Sequence, residues 1–177
     1  MKRALCLLGA MVALASPAQA EGVKSTLSAS NGVEVSLFAD EFAGRYEYTA
    51  PTINFPNLSG FALVASVVQN GVAKPPEIVG SVMYNGEWRR YYSAILRGGE
   101  SVDSTFNDRD VVSCRGSRYS GCSLREGFAL RPTKAQIAKY AVDGKLQIQL
   151  RAQAGDAVLV DIPVSYIDAI SEVAKAR

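Results

Sequence analysis

Short runs of alternating apolar and polar residues, separated by turn-forming pairs, constrain the fold of this chain more than any other feature. The run 33–37 (VEVSL) follows Asn31-Gly32, and the run 146–150 (LQIQL) has the same period of two. This period places the apolar side chains on one face of a β-strand. The run 61–69 (FALVASVVQ) is apolar almost throughout, which is typical of a strand covered on both faces. The chain is therefore expected to consist mainly of antiparallel strands.

Two pairs of these strands are expected to form hairpins. Residues 78–84 and 88–96 flank Asn85-Gly86, a dipeptide typical of two-residue hairpin turns. Residues 104–114 and 123–130 flank a short segment that begins and ends with cysteine. The first pair predicts a tight hairpin, and the second predicts a hairpin whose tip is tied by a disulfide.

Two short helices are predicted late in the chain. Thr133 and Gln136 fit a capping box at the start of the first helix, and Ser165 is expected to cap the second, over 166–174. With about nine strands, the pattern predicts one all-β domain over 31–177, an antiparallel β-sandwich or a partly open barrel. The alternative is an α+β fold in which the last helix packs across one open sheet.

Residues 1–20 have the organisation of a secretory signal peptide. Lys2 and Arg3 precede the apolar stretch 4–15, and residues 18–20 (AQA) fit the cleavage site. The apolar stretch is shorter than the roughly 20 residues that a membrane-spanning helix needs. We therefore expect a mature product without a transmembrane segment, periplasmic or secreted, in which 21–30 form a flexible leader.

Charge and composition exclude several function classes. Lys2 and Arg3 belong to the signal peptide, and the remaining basic residues equal the 17 acidic residues in number. A nucleic-acid partner therefore has no global electrostatic support. The chain has no histidine, which excludes Ser-His and Cys-His nucleophile pairs and imidazole metal ligands. We expect no metal and no cofactor, and we favour binding over catalysis.

Cys114 and Cys122 are the cysteines that remain after cleavage. An even pair at short range in an exported chain is typical of a disulfide, and the spacing is too wide for a redox CxxC motif. The expected bond closes a loop that exposes Arg115, Arg118 and Tyr119. We predict that these three residues contact a partner.

The same loop resembles part of a known family. Its sequence GSRYS, residues 116–120, resembles the loop that periplasmic inhibitors of C-type lysozyme insert into the lysozyme cleft. Those inhibitors are small, disulfide-containing β-barrels of the bacterial envelope. The resemblance implies that residues 117–120 are the inserting residues and that the partner is a cell-wall hydrolase.

A second contact surface is expected in the run 88–92 (WRRYY). If this run is a strand, Trp88, Arg90 and Tyr92 share one face. Aromatic residues beside arginine are typical of interfaces, and they are also typical of core aromatics covered by arginine stems. Both interpretations remain open at this point.

Glu126 lies on the apolar face of its predicted strand, 124–130 (LREGFAL), and so needs a partner. Arg109 on the preceding strand is the expected one, and Arg90 is the next choice. Without such a partner, desolvation would raise the pKa of the carboxyl group. We favour a structural Glu126–Arg109 ion pair that fixes the register of the sheet. The alternative is a hydrolase in which Glu126 is the general acid or base.

The sequence as a whole predicts an exported, non-enzymatic binding or accessory module of the bacterial cell envelope. Its partner is expected to be an envelope protein or a small ligand. The alternatives are an inhibitor of a cell-wall hydrolase and a hydrolase that uses Glu126.

Overall fold

The computed structural model describes residues 22–56, 59–114 and 121–175. The strands are, in chain order, β1 (Val23–Ser28), β2 (Glu34–Asp40), β3 (Arg45–Thr49), β4 (Ile53–Asn54), β5 (Ser59–Gln69), β6 (Val72–Ala73), β7 (Glu77–Gly86), β8 (Tyr91–Leu96), β9 (Ser101–Cys114), β10 (Cys122–Arg131), β11 (Lys145–Ala152) and β12 (Ala157–Pro163). The helices are α1 (Lys134–Tyr140) and α2 (Val164–Val173). The all-β class with two helices near the C-terminus is confirmed. The strand number is higher than expected because β1, β4 and β6 were not predicted.

The strands form one open sheet, with the order β1-β2-β3-β5-β7-β10-β9-β8-β11-β12. All neighbours are antiparallel, and the short strands β4 and β6 pair with β5. Helix α2 contacts β12 as well as β2, β3 and β5. Since these strands lie towards opposite ends of the strand order, the sheet curls around the helix.

One apolar core lies inside this curled sheet. The predicted period of two is present in β2, β11 and β12, where buried and more exposed side chains alternate. Helix α2 adds Ile167, Ala169 and Ile170 to the same core. Each large apolar side chain buried in this way contributes about 1.5–3 kcal/mol. The core therefore joins both halves of the sheet through apolar packing as well as backbone hydrogen bonds.

The hairpin expected at Asn85-Gly86 is wrong. Both residues lie in β7, where they pair with Ser123 and Cys122 of β10. Strands β5 and β10 occupy the two edges of β7, so β8 pairs with β9 and β11 instead. The chain leaves the β7 ladder after Gly86 and turns at Arg90, which has a φ of 57°. Long-range strand pairing thus outweighs the local turn signal here.

The flexible leader expected over 21–30 is also wrong. Residues 23–28 form β1 and pair along their whole length with β2. Just beyond this strand, the Ser30 backbone N–H and hydroxyl donate to the Glu172 carboxylate at 3.0 and 2.6 Å. These contacts attach the segment to α2, which the sequence pattern could not show.

The two helices begin in different ways. The capping box of α1 is present, with Gln136 N–H donating to Thr133 Oγ1 at 3.1 Å. The predicted Ser165 cap of α2 is wrong, because the helix follows Pro163 and has no side-chain cap. Pro163 is the N-cap residue, with extended backbone, and its side chain has no oxygen to accept from the first-turn N–H groups. Ser165 lies in the first turn, and its carbonyl oxygen accepts from Asn31 Nδ2 at 2.8 Å.

Candidate functional site

Glu126 lies at the centre of a buried polar cluster, and only 2% of its surface is exposed. Its Oε1 accepts hydrogen bonds from the Tyr84 hydroxyl and from the backbone N–H of Arg90, the latter at 2.8 Å. Its Oε2 accepts from the backbone N–H of Tyr91 at 3.0 Å and from Arg109 Nε at 3.1 Å. Four donors thus converge on the two carboxylate oxygens, which together offer about four lone-pair sites.

Three parts of the chain position these donors. Arg109 is directly opposite Glu126 in the β9–β10 register, as the sequence predicts. Arg90 is a partner through its backbone N–H rather than its side chain. The left-handed φ of this residue turns the link between β7 and β8. Successive N–H groups in such a turn form an anion-binding concavity.

The hydrogen bond from Tyr84 to Glu126 is not predicted by the sequence pattern, because it depends on the pairing of β7 with β10. In that register Tyr84 is opposite Leu124, two residues before Glu126 on the same face. The Tyr84 oxygen also accepts from the Arg89 backbone N–H at 3.0 Å. The Arg89 guanidinium lies 4.5 Å from the centre of the Tyr84 ring.

The hydrogen bonds and the burial of Glu126 and Tyr84 determine which of the two groups is charged. Burial by itself would raise the pKa of Glu126, but hydrogen bonds from Tyr84, Arg109 and the two backbone amides outweigh it and hold that pKa below its usual range. Burial raises the pKa of Tyr84 to about 12, and its hydrogen bond to Glu126 adds to this shift. At neutral pH the cluster therefore contains a carboxylate and a neutral phenol. A buried carboxylate whose acceptor sites are filled fits a structural role better than a general acid or base.

The structure does not place Trp88, Arg90 and Tyr92 of the run 88–92 on one face. Trp88 packs against the core, Arg90 lies in the link before β8, and Tyr92 on β8 is 56% exposed. The run was expected to be one continuous strand, but β8 begins only at Tyr91. The shared face predicted for Trp88, Arg90 and Tyr92 is therefore wrong.

Strands β9 and β10 form a hairpin beside this cluster, and we call residues 103–114 and 122–131 the arm. Its register runs from Asp103 opposite Arg131 to Cys114 opposite Cys122. The predicted disulfide joins Cys114 and Cys122. The expected contact residues Arg115, Arg118 and Tyr119, together with the rest of the 115–120 segment, lie outside the described residues.

One edge of the arm has no strand beside it. β8 pairs with β9 only at Ser101 and Val102. From Asp103 to Cys114, no strand of the described residues pairs with the edge of β9 that faces away from β10. Residues 107–114 are exposed, including Val111 at 49% and Val112 at 51%. The arm thus combines a long open edge with two adjacent apolar side chains in solvent.

Two further findings apply to the described ranges. Within them, no helix combines the length and the apolar character needed to cross a membrane. Across the same residues, no group of three His, Cys, Asp or Glu side chains could hold a metal ion.

The arm and the buried cluster are the features from which a function has to be inferred. No protein-family model, no curated protein and no solved structure matches this chain.

Proposed function

We propose that this protein is a non-enzymatic binding module of the bacterial cell envelope, which presents the arm to a protein partner. The open edge of β9 between Asp103 and Cys114 carries the proposal. Unpaired N–H and C=O groups along such an edge can accept a strand from another chain. Val111 and Val112 provide apolar area at the same edge.

The arm is held at its middle and at its tip, which favours binding. Midway along the arm, Glu126 connects β10 to β7, to β9 and to the backbone before β8. At its tip, the Cys114–Cys122 disulfide joins the two strands. A preorganised surface loses less conformational entropy on association than a flexible one. The arm is therefore suited to recognising a partner without folding on it.

The proposed location is the periplasm, after removal of residues 1–20. The order of charged, apolar and small residues in 1–20 supports export, and a disulfide is stable in an oxidising compartment. Expression of the full chain in a bacterial host should yield a periplasmic product that begins at Glu21. N-terminal sequencing checks this, and a cytoplasmic, uncleaved product would contradict it.

Binding through the arm can be tested by photo-crosslinking in cells. A photoreactive residue at Asn107, which is exposed on β9, should form one reproducible protein adduct. The double substitution Val111→Lys, Val112→Lys should abolish the adduct, because it removes the apolar area and adds charge at the edge. Leu159→Lys is the matched control: Leu159 is 56% exposed on β12, a strand at the other end of the sheet.

The result contradicts the proposal if the arm variant captures the partner as well as the wild type. It also contradicts the proposal if the Leu159 control loses the adduct equally. Circular dichroism of both variants establishes that they are folded before capture is compared.

A second candidate function is inhibition of a cell-wall hydrolase. It is favoured by the disulfide, which closes the RGSRYSG segment (115–121) at the end of the arm. The purified mature protein should then slow the clearing of cell walls by C-type lysozyme, and Arg118→Ala together with Tyr119→Ala should remove the effect. Full lysozyme activity in excess wild-type protein would eliminate this candidate.

A further inference from the structure

A cavity of about 760 Å³ lies where β5, the start of β7, the end of β10 and both helices meet. Its apolar lining includes Val64, Ile78, Ile137 and Ile167. Three of these residues belong to the buried core, and Ile137 packs against it from α1. Small-molecule sites in proteins have volumes of about 300–1,000 Å³ and are mostly apolar. The cavity thus has the size and lining of a ligand site.

The rim of this cavity is strongly cationic. Arg45, Lys74, Arg131 and Lys134 line it, and Glu77 is the one carboxylate in the lining. Glu77 is paired with Arg131 at 3.1 Å. Arg45 is paired with a neighbour outside the lining, at 2.7 Å. Within the described residues, Lys74 and Lys134 form no ion pair, unlike the two arginines.

The backbone of both lysines is fixed by hydrogen bonds or by a helix. The Lys74 carbonyl oxygen accepts from Ser66 Oγ at 2.7 Å, and the Lys74 N–H donates to the Val67 carbonyl at 2.9 Å. Lys134 is the first residue of α1, directly after the capping box at Thr133. The fold therefore fixes the backbone of both lysines at the edge of the apolar lining, and their side chains are exposed to solvent.

We propose that this cavity binds a single-chain amphiphile with an anionic head group. The acyl chain would occupy the apolar lining, and the carboxylate or phosphate head would bind Lys74 and Lys134. Charge complementarity favours an anion over a neutral lipid, because the cavity lining is rich in cations although the chain as a whole carries nearly equal numbers of both signs. This inference concerns a different surface from the arm and does not depend on it.

Isothermal titration of the mature protein tests the proposal with three probes of equal chain length: dodecanoate, dodecyl phosphate and dodecanol, each below its aggregation concentration. We expect at least one anionic probe to bind about tenfold or more tightly than dodecanol, since hydrogen bonds to charged groups are the stronger ones. The ratio of the two anions identifies the preferred head group.

Substitutions at the two lysines and in the apolar lining test which residues bind the probes. Lys74→Gln with Lys134→Gln should bring the affinity for the anions to that of dodecanol. Lys24→Gln with Lys145→Gln removes the same charge from β1 and β11 and should leave all affinities unchanged. Ile137→Ser should weaken all three probes.

Three results would overturn the proposal: no saturable binding of any probe, equal affinity for dodecanol and the anions, or an equal loss in the β1 and β11 control. Because these readouts involve neither Val111 nor Val112, failure here is distinguishable from failure of partner capture by the arm.

Discussion

The Glu126 cluster and the cationic cavity both place charged groups next to apolar side chains. They differ in whether those charges have partners within the protein. Around Glu126, four donors fill the carboxylate oxygens. At the cavity, Lys74 and Lys134 form no ion pair within the described residues. A buried charge whose partners are complete fixes a structure. A charge left unmet beside an apolar cavity is available to a ligand.

One strand connects these two regions. Glu126 lies in the middle of β10, and Arg131 lies at its end on the rim of the cavity. Arg131 is 43% exposed and its ion pair with Glu77 is open to solvent, whereas Glu126 is sealed. Exposed pairs contribute about 0–1 kcal/mol because water and salt screen them. The same strand therefore carries a charge that stabilises the fold and one that contributes little to it.

The largest expected effect comes from removing the carboxylate of the cluster. Glu126→Ala should lower the free energy of unfolding by about 3 kcal/mol, because it leaves the Tyr84 hydroxyl and the N–H groups of Arg90 and Tyr91 without an acceptor. Urea denaturation followed by circular dichroism measures this. Arg109→Ala is the comparison variant and should lower it by less, because that side chain is 42% exposed and the other three donors to the carboxylate remain. A loss below about 1 kcal/mol for Glu126→Ala would show that the buried carboxylate does not stabilise the fold.

Part of the cluster could be predicted from the sequence, and part could not. The period of two places Glu126 on the apolar face of its strand, and Arg109 follows from the hairpin tied by the cysteines. Tyr84 could not be predicted, since Asn85-Gly86 favours a hairpin between β7 and β8. The actual neighbour of β7 is β10. A local turn signal carries no information about which distant strand competes for the same edge.

The cavity could not be predicted from the sequence, for a related reason. Lys74 and Lys134 lie far apart in the chain, and the strand order brings them to one rim. Each lysine by itself is typical of a solvated surface. The apolar residues of the lining follow the pattern of core residues, as Val64 and Ile78 in fact are. The cavity exists only because α1 and α2 pack beside these strands, and the sequence pattern does not show that packing.

The second-largest expected change is a fall in the free energy of unfolding at alkaline pH. In the folded chain the pKa of Tyr84 is raised to about 12 from an ordinary value of 10.0. A raised pKa contributes stability that is complete below the unfolded pKa and is lost as pH rises towards the folded pKa. We therefore expect the free energy of unfolding to fall by roughly 2 kcal/mol between pH 10 and 12 because of this group.

Tyr84→Phe should flatten that alkaline decline, whereas Tyr92→Phe, on the exposed face of β8, should leave it unchanged. Urea titrations at several pH values measure the decline. The acid side has the opposite sign: the lowered pKa of Glu126 contributes stability above the unfolded pKa of about 4.3 that is lost as pH falls. An alkaline decline that is identical in Tyr84→Phe and in the wild type would show that the phenol is not held as described.

Removing the two lysine charges at the cavity should change the stability least. Lys74→Gln with Lys134→Gln should change the free energy of unfolding by less than about 0.5 kcal/mol, because neither ammonium group has an ion pair to lose and glutamine retains most of the side chain's packing. Urea denaturation at pH 7, compared with Arg109→Ala, measures the difference. A loss above about 1 kcal/mol would mean that the two lysines stabilise the fold through contacts of their own. A loss near zero, together with loss of dodecanoate binding, would mean that the protein retains these two charges for a ligand.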